Sequence, residues 1–174
     1  MRADELRSLQ TPLKDRYRET PGAALITLRA QGTLGDGVSC RIETGKALVV
    51  AGLHPATGGN GLSACSGDML LEALVACAGV TLNAVATSLG IELRSGLLQA
   101  EGDLDFRGTL GVSKEVPVGF QNIRLKITLD TDAPEDQIAT LLRLTERYCV
   151  VFQTLAHPPP LSVSRSPAPA SGGT

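Results

Sequence analysis

Two cysteines, Cys77 and Cys149, stand in sequence settings that suit thiol redox chemistry. Cys77 lies inside an apolar run that predicts one long helix, and Cys149 closes a charged amphipathic helix. A transient disulfide between two cysteines is the usual form of redox catalysis in a reducing compartment. The pair therefore indicates redox chemistry if the fold brings the two sulfur atoms together.

Ordinary packing is the alternative role for Cys77, because free cysteine is among the most buried residue types. A free thiol has a pKa of about 8.5, so attack at neutral pH requires a stabilised thiolate. Cys77 lies about eleven residues into its helix, too far from the N-terminus for the helix dipole to act on it. A nearby cation, most simply an arginine, is therefore expected to stabilise the thiolate.

The other two cysteines and the two histidines carry weaker signals. Cys65 precedes the long helix in a glycine-rich loop, where a third reactive thiol is the minor alternative to packing. Cys40 alternates with polar residues in a predicted strand and is expected in the core. The cysteine spacings match no zinc site, so no metal is predicted. His54 and His157 are predicted loop residues, and nothing in the sequence places either beside Cys77 as a Cys–His hydrolase requires.

The charge balance and the aromatic content exclude several classes of function. Sixteen Lys and Arg residues stand against eighteen Asp and Glu residues, for a net charge of −2, which gives no basic surface for nucleic acid or for a membrane. Three Phe, two Tyr and no Trp residues leave few platforms for base stacking. The most apolar stretch, residues 69–89, contains Glu72 and Asn83 and is predicted to be a buried core helix rather than a membrane span.

The N-terminal residues predict a cytoplasmic protein. The sequence begins Met-Arg-Ala-Asp-Glu, without the apolar core of a secretory signal peptide, and its acidic residues disfavour a mitochondrial transit peptide. In a reducing cytoplasm the four cysteines are expected as thiols, with a transient catalytic disulfide as the usual exception.

The order of helical and strand-like segments predicts one α+β domain with antiparallel strands around a long central helix. Residues 1–22 are expected to form a helical arm with a break near Pro12, residues 23–164 the folded domain, and residues 165–174 a disordered tail. Strands are predicted at 23–30, 38–43, 47–51, 91–108 and 123–129, with 161–164 as a candidate edge strand. Helices are predicted over 66–89 and 134–149, the second followed by an apolar turn.

This arrangement resembles the OsmC/Ohr family of thiol-dependent organic hydroperoxide reductases. The residues that carry the resemblance are Gly58-Gly59-Asn60-Gly61, the run from Asp68 to Cys77 (DMLLEALVAC) and Glu146-Arg147-Tyr148-Cys149. It covers roughly residues 23–164. The resemblance implies an OsmC-like fold, with antiparallel sheets around the central helix, and an intertwined homodimer whose active sites are built from both subunits.

The resemblance also implies roles for individual residues. Cys77 would be the peroxidatic thiolate and Cys149 the resolving thiol that forms the disulfide. The family holds its thiolate with an arginine and an acidic residue. Arg29 is the nearest positional match for the arginine, with Arg41 as its rival, and Asp68 matches the acidic residue.

Two acidic residues of the long helix are thus candidates for the site. Asp68 precedes Cys77 by nine residues, which places it about 180° away on a regular helix. It would act from the start of the helix or across a dimer, and its alternative role is to stabilise the helix dipole in the first turn. Glu72 is the further candidate, either as an arginine partner or as an exposed residue. The family's proline before the acidic residue is missing here.

The family pattern commonly has a proline directly after the second cysteine. This chain departs from it, because Val150-Val151-Phe152 follow Cys149. Burial of hydrocarbon against apolar side chains is favourable, so these residues predict a bulky apolar peroxide as the substrate. The sequence therefore predicts reduction of organic hydroperoxides to alcohols, with electrons from a dithiol and no bound cofactor. The alternatives are a non-catalytic protein that binds an apolar ligand, and a redox sensor that forms the disulfide but turns over slowly.

Overall fold

A four-stranded antiparallel sheet carries one long helix on one of its faces. The strands are β1 (Leu25–Leu34), β2 (Cys40–Ile42), β3 (Ser95–Asp105) and β4 (Asn122–Asp130), in the order β2-β1-β3-β4. The computed structural model describes residues 3–34, 40–42, 52–62 and 64–165. The predicted combination of helices with an antiparallel sheet is confirmed, whereas the strand predicted at 47–51 lies outside the described residues.

The helices are α1 (Ala3–Glu19), α2 (Ser66–Leu89), α3 (Phe106–Thr109), α4 (Glu135–Tyr148) and α5 (Val150–Ala156). Short 3₁₀ turns occupy Pro21–Ala24 and Pro55–Thr57. Helix α2 is the central element, because it packs on β1 and β3 and also contacts α4 and α5.

Helix α2 has the bounds that the sequence predicts. Its buried side chains form one stripe at helical spacing, namely Leu71, Leu74, Val75, Ala78, Leu82 and Ala86. The helix ends at Gly90, whose φ of 68° lies in the left-handed region that glycine adopts without strain. On the opposite side Ala73, Val80 and Ala84 are exposed.

Strands β3 and β4 both supply side chains to the core that packs against α2. In β4 half-buried and exposed residues alternate, as predicted from the apolar-polar pattern over 123–129. In β3 a side chain at Gly102 would collide with the ring of Phe120, since a Cβ there would lie 2.5 Å from the ring. The missing side chain therefore makes room for Phe120 on this face.

Helix α1 continues through Pro12, so the predicted break near that residue was wrong. A proline inside a helix removes one hydrogen bond and costs about 3 kcal/mol. Tertiary packing offsets this cost, because Leu13 and the fully buried Tyr17 pack in a cluster with Phe106 and Leu110. The Tyr17 hydroxyl also donates a hydrogen bond of 2.7 Å to the backbone carbonyl of Ala56.

Replacing Tyr17 with phenylalanine is expected to lower the free energy of unfolding by about 1–2 kcal/mol, because the buried carbonyl of Ala56 loses its hydrogen-bond donor. Urea unfolding followed by circular dichroism measures this change. Tyr148→Phe is the matched control, because Tyr148 is 58% exposed. Removal of its hydroxyl group should change the free energy of unfolding by less than about 0.5 kcal/mol. Equal effects of the two changes would contradict the anchoring role of Tyr17.

Two further strand predictions differ from the structure. The strand predicted over 91–108 is shorter, because residues 106–109 turn into α3, where the Asp105 carboxylate accepts a hydrogen bond from the backbone N–H of Arg107. Residues 161–164 form no strand, and Leu161 and Val163 are almost fully exposed. Alternation alone cannot make a strand where no neighbouring strand supplies hydrogen bonds.

By length and composition alone, α2 is a helix that could cross a membrane. In this structure 39% of its most apolar window is buried inside the protein. Core helices of globular proteins share this composition.

Candidate active site

Cys149 lies at the junction of α4 and α5 and takes part in both helices. Its backbone N–H donates to the carbonyl of Thr145 at 2.9 Å, and its carbonyl accepts from the N–H of Gln153 at 2.9 Å. Its sulfur accepts a hydrogen bond of 3.4 Å from the backbone N–H of Phe152. Cys149 therefore closes α4 and caps the start of α5.

The predicted apolar turn after Cys149 was wrong, since residues 150–156 form α5. The β-branched pair Val150-Val151 disfavours a helix by propensity. Packing decides the outcome, because Val151, Phe152 and Leu155 lie against the core beneath α2.

Cys77 lies in the middle of α2, half-buried, on the side that meets the junction of α4 and α5. Cys77 packs against the buried cluster that contains Cys149, and each thiol shifts the pKa of the other. Both are free thiols here. The structure thus brings together the two cysteines that the sequence singled out.

The surroundings of Cys77 favour its thiolate. Burial opposes ionisation, but hydrogen bonds from the backbone N–H of Val151, the Cys149 thiol, the N–H of Val150 and the Thr81 hydroxyl outweigh it. The net effect lowers the pKa of the Cys77 thiol below its ordinary value. Cys77 is therefore the better nucleophile of the pair at neutral pH.

The surroundings of Cys149 favour its protonated form. Burial is the main cause, and the neighbouring Cys77 adds to it, so that the pKa of the Cys149 thiol rises to about 11. Only 1% of Cys149 is exposed. A protonated thiol that donates to a neighbouring thiolate stabilises the negative charge on that thiolate.

Three groups around Cys77 were missed from the sequence. The backbone N–H groups of Val150 and Val151 have no residue signature, because every residue except proline carries one. Thr81 lies one helical turn after Cys77, and this spacing of four is the signal that could have identified it. The helix-dipole argument was applied to α2, whereas the amides that face Cys77 belong to the first turn of α5.

Replacing Val150 with proline is expected to raise the pKa of Cys77 and to slow its alkylation at pH 7 by roughly threefold to tenfold, because one N–H donor to the thiolate is lost. Proline suits the first position of a helix, and the extended backbone of Cys149 suits the residue before proline. Alkylation with iodoacetamide across a pH series, with the modified Cys77 peptide quantified by mass spectrometry, measures the change.

Val150→Ala is the control for that variant, since alanine keeps the N–H group and Val150 is 70% exposed. Alkylation of Cys77 in the alanine variant should match that of the unchanged protein. A proline variant with an unaltered pH profile would show that this amide does not stabilise the thiolate.

Two apolar cavities flank α5. The first, of about 250 Å³, lies beside Cys149 and is lined by Leu125, Ile127 and Phe152 among others. The second, of about 300 Å³, lies between β4 and the far side of α5 and shares Leu125 and Phe152 with the first. The ring of Phe152 therefore stands between two spaces that hydrocarbon could occupy.

Among the described residues, no group of three or more His, Cys, Asp or Glu side chains is placed to hold a metal ion.

A family model for OsmC-like proteins matches residues 58–164, which is more than half of the chain and includes both cysteines. The chain belongs to the OsmC-like family. No curated protein matches it.

Solved structures of OsmC-like proteins show the same fold. An OsmC-like hydroperoxide resistance protein from Jannaschia sp. is similar with a TM-score of 0.55 and 16% identity, over 82% of this chain and 97% of the other. An OsmC-like protein from Mycoplasma pneumoniae is similar with a TM-score of 0.53 and 18% identity, over 77% of this chain and 86% of the other. At such low identity the likeness establishes the OsmC-like fold and no residue role.

The OsmC-like fold places Asp68 away from the cysteine pair. Asp68 lies in the first turn of α2, where burial raises the pKa of its carboxyl group and the nearby His54 partly offsets this. The His54 ring stacks on Phe106 with centroids 5.0 Å apart. Its Nδ1 accepts a hydrogen bond of 3.0 Å from the N–H of Ala56. Asp68 thus lies beside the glycine-rich loop, nine residues and roughly 13 Å of helix rise before Cys77.

Glu72 is half-buried on α2, five residues before Cys77 and therefore about 140° around the helix from it. Neither acidic residue lies on the side of α2 that carries Cys77. A role for either one at the thiolate of a partner subunit stays a prediction.

The two candidate arginines lie on strands, and their backbone register is known. Arg29 pairs with Glu101 of β3, and Arg41 pairs with Thr33 of β1. Glu101 lies on the sheet face opposite to the buried Leu98, which packs against α2. These register positions give no support to an arginine at Cys77 within one subunit, and the choice between Arg29 and Arg41 stays a prediction.

The remaining candidates lie apart from the pair. Cys65 is half-buried at the N-cap position of α2 and makes no capping hydrogen bond with its side chain. His157 is exposed after α5. Cys40 lies in β2, and its side chain is outside the described part of the structure.

Proposed function

We propose that this protein is a thiol peroxidase that reduces organic hydroperoxides to alcohols. One observation carries the proposal, namely that Cys77 and Cys149 lie in contact with opposite pKa shifts, one towards the thiolate and one towards the thiol. This division suits a nucleophile with a resolving partner. The hydroperoxide resistance protein among the similar structures supports it as an analogy of fold.

The proposed reaction has two steps within the protein. The Cys77 thiolate attacks the terminal oxygen of the hydroperoxide, the O–O bond breaks, and the alkoxide takes up a proton and leaves as the alcohol. Cys77 is then a sulfenic acid. The Cys149 sulfur attacks the Cys77 sulfur, and the hydroxyl leaves as water with the Cys149 proton, which gives a Cys77–Cys149 disulfide.

A dithiol would close the cycle by reducing this disulfide and becoming oxidised itself. Such a cycle fits a reducing cytoplasm, where we place the protein, and needs no bound cofactor. An apolar hydroperoxide is the proposed substrate, because the cavities beside α5 are walled by Leu125, Ile127 and Phe152.

We propose a homodimer on the evidence of α2. The side of α2 opposite its buried stripe exposes two large apolar residues, Met69 at 37% and Val80 at 40%. An apolar surface of this kind favours association with a second protein surface.

The test is to add one equivalent of cumene hydroperoxide and to follow free thiols, intact mass and the cumyl alcohol produced. We expect one alcohol per subunit, a loss of two hydrogens, and a peptide map with a Cys77–Cys149 disulfide. The rate should rise with pH and level off at a lower pH than for a free cysteine, because the pKa of Cys77 is lowered and its thiolate is formed sooner.

The second candidate function is the binding of an apolar ligand without catalysis, and the cavities beside α5 favour it. If every thiol survives the peroxide and no alcohol forms, the peroxidase proposal is wrong and this candidate becomes the better account. Stoichiometric disulfide formation without repeated turnover in the presence of a dithiol would instead indicate a redox sensor.

A further inference from the structure

We infer that the cavity beside Cys149 selects uncharged hydroperoxides with compact hydrocarbon groups. Glu146 rejects hydroperoxides that carry a carboxylate, and Phe152 limits the length of the hydrocarbon. The substrate is a hydroperoxide only if the proposed function holds, so the inference rests on that function. The selection by charge and by length applies to any ligand of this cavity.

The cavity lies next to the two cysteines of the candidate site. Its lining includes Cys149 and also Ala78, the residue that follows Cys77 in α2. A ligand in this space therefore lies beside the pair of thiols. The volume of about 250 Å³ suits a compact group, because a dry apolar cavity of about 150 Å³ is already large enough for benzene.

The lining gives an anionic ligand no favourable partner among the described residues. Leu125, Ile127 and Leu142 supply apolar surface. Thr145, also in the lining, is buried and donates its hydroxyl hydrogen at 2.8 Å to the backbone carbonyl of Leu141. A carboxylate inside the cavity would therefore lose its water without gaining a cation or a free hydroxyl donor, and such a loss is costly.

Glu146 is the only charged residue among the described residues that line the cavity. It lies on α4, three residues before Cys149, and is exposed to water. A hydrated glutamate is negatively charged at neutral pH. Its neighbour Arg147 lies over the ring of Tyr148, 5.6 Å from the ring centroid, and is not among the lining residues. The rim of the cavity is therefore negative.

The negative charge of Glu146 acts on any anion that enters the cavity, because a space of about 250 Å³ keeps every part of a ligand near its rim. Like charges about 8 Å apart at a protein surface repel each other strongly enough to weaken binding by roughly tenfold or more. An uncharged ligand with the same hydrocarbon does not experience this repulsion. Glu146 therefore distinguishes ligands by charge.

Phe152 separates this cavity from the second one. Its ring lines both cavities, and Leu125 is the other described residue that they share. The second cavity, of about 300 Å³, also has Leu155 in its lining and no charged residue among the described ones. Hydrocarbon that enters beside Cys149 ends at the ring of Phe152, whereas a smaller residue would let it continue towards Leu155. Phe152 therefore limits the length of a ligand.

NMR titration of the reduced full chain, with ¹³C-labelled Leu and Ile methyl groups, tests the selection by charge without any peroxide. The probes are methyl octanoate and octanoate, which have the same acyl chain and differ in charge. We expect methyl octanoate to shift the methyl signals of Leu125, Ile127 and Leu142, and to bind at least about tenfold more tightly than octanoate. Glu146→Gln should tighten the binding of octanoate at least about fivefold more than that of methyl octanoate.

Glu135→Gln is the matched control, because Glu135 is an exposed glutamate of the same helix and is not among the lining residues. It should leave the ratio of the two affinities within about twofold of its original value. If Glu146→Gln changes that ratio no more than Glu135→Gln does, the selection by charge is overturned. If methyl octanoate shows no saturable binding at the cavity methyl groups, the whole inference is overturned, and a side chain of a second subunit becomes the better candidate occupant.

Methyl dodecanoate tests the limit on length. Each methylene that enters an apolar site raises affinity about fourfold, so four more methylenes would raise it by roughly 250-fold if all were buried. In the unchanged protein we expect a gain over methyl octanoate of less than about tenfold, and in Phe152→Ala a gain of at least about fiftyfold. Phe152→Leu, which keeps the core better filled, should give an intermediate gain and carries the test if the alanine variant does not fold.

Leu155→Ala is the control for length, because it enlarges the second cavity and keeps the ring of Phe152 in place. Its gain with methyl dodecanoate should stay below about tenfold. Equal gains in the unchanged protein and in the Phe152 variants would overturn the limit on length.

The titrations contain no oxidant, so their outcome is separate from that of the peroxide assay. If cumene hydroperoxide is reduced but neither Glu146→Gln nor the Phe152 variants change a binding ratio, the proposed function stands and the inference is overturned. If both selections are observed in a protein that peroxide does not oxidise, the selection is upheld and the proposed function is refuted.

Discussion

Replacing Cys77 with serine is expected to lower hydroperoxide turnover by at least about a thousandfold, because a serine hydroxyl is not ionised at neutral pH and is a poor nucleophile without a general base. The fold should survive, since Cys77 is half-buried and serine is close to it in size. Steady-state production of cumyl alcohol with a dithiol present measures the loss.

Cys65→Ser is the matched control for that variant. Cys65 is also a half-buried free thiol on the same helix, but its side chain makes no capping hydrogen bond. Turnover in the control should stay within about twofold of the unchanged protein. If the Cys77 variant keeps a tenth of the activity or more, or if the Cys65 variant loses as much as the Cys77 variant, the attacking thiol has been misassigned.

Replacing Cys149 with serine is expected to leave the first turnover nearly intact and to lower steady-state turnover by about a hundredfold, because the sulfenic acid on Cys77 then has no resolving thiol. The serine hydroxyl can take over the hydrogen bond from Phe152 that caps α5, so the structure should persist. Rapid-quench assay of the alcohol should show one equivalent followed by a much slower phase.

Dimedone, which labels sulfenic acids, should modify Cys77 in the Cys149 variant after one equivalent of peroxide. The unchanged protein should be labelled far less, since its sulfenic acid is consumed by disulfide formation. Undiminished steady-state turnover in the variant would show that Cys149 is not the resolving thiol.

The elements with strong periodicity were predictable from the sequence. The apolar stripe of α2 and the glycine that ends it gave both helix bounds, and the alternation over 123–129 gave β4. Local patterns failed where tertiary contacts decide the structure. The packing of Tyr17 carries α1 through Pro12, and the packing of Phe152 makes a helix of a segment that begins with two valines.

The site was predictable only in part, and for a physical reason. The pairing of the two cysteines was implied by the resemblance to the OsmC/Ohr family, because their positions in the sequence do not show whether the two thiols meet. The amides of Val150 and Val151 are donors that any residue but proline supplies, so their importance depends on where the backbone places them. The acidic residue Asp68 lies far from Cys77, as helix geometry alone indicates, and its neighbour His54 comes from a loop that local periodicity does not position.

The absence of a side chain at Gly102 restricts which substitutions fit at positions 102 and 120. The ring of Phe120 occupies the volume that a side chain at 102 would fill, and the same ring walls the cavity between β4 and α5. Residues 102 and 120 are thus coupled through one shared volume. A larger residue at position 102 fits only with a smaller one at position 120. A smaller residue at position 120 would also change the shape of the cavity next to Phe152. Substitution of this sheet glycine therefore alters the cavity.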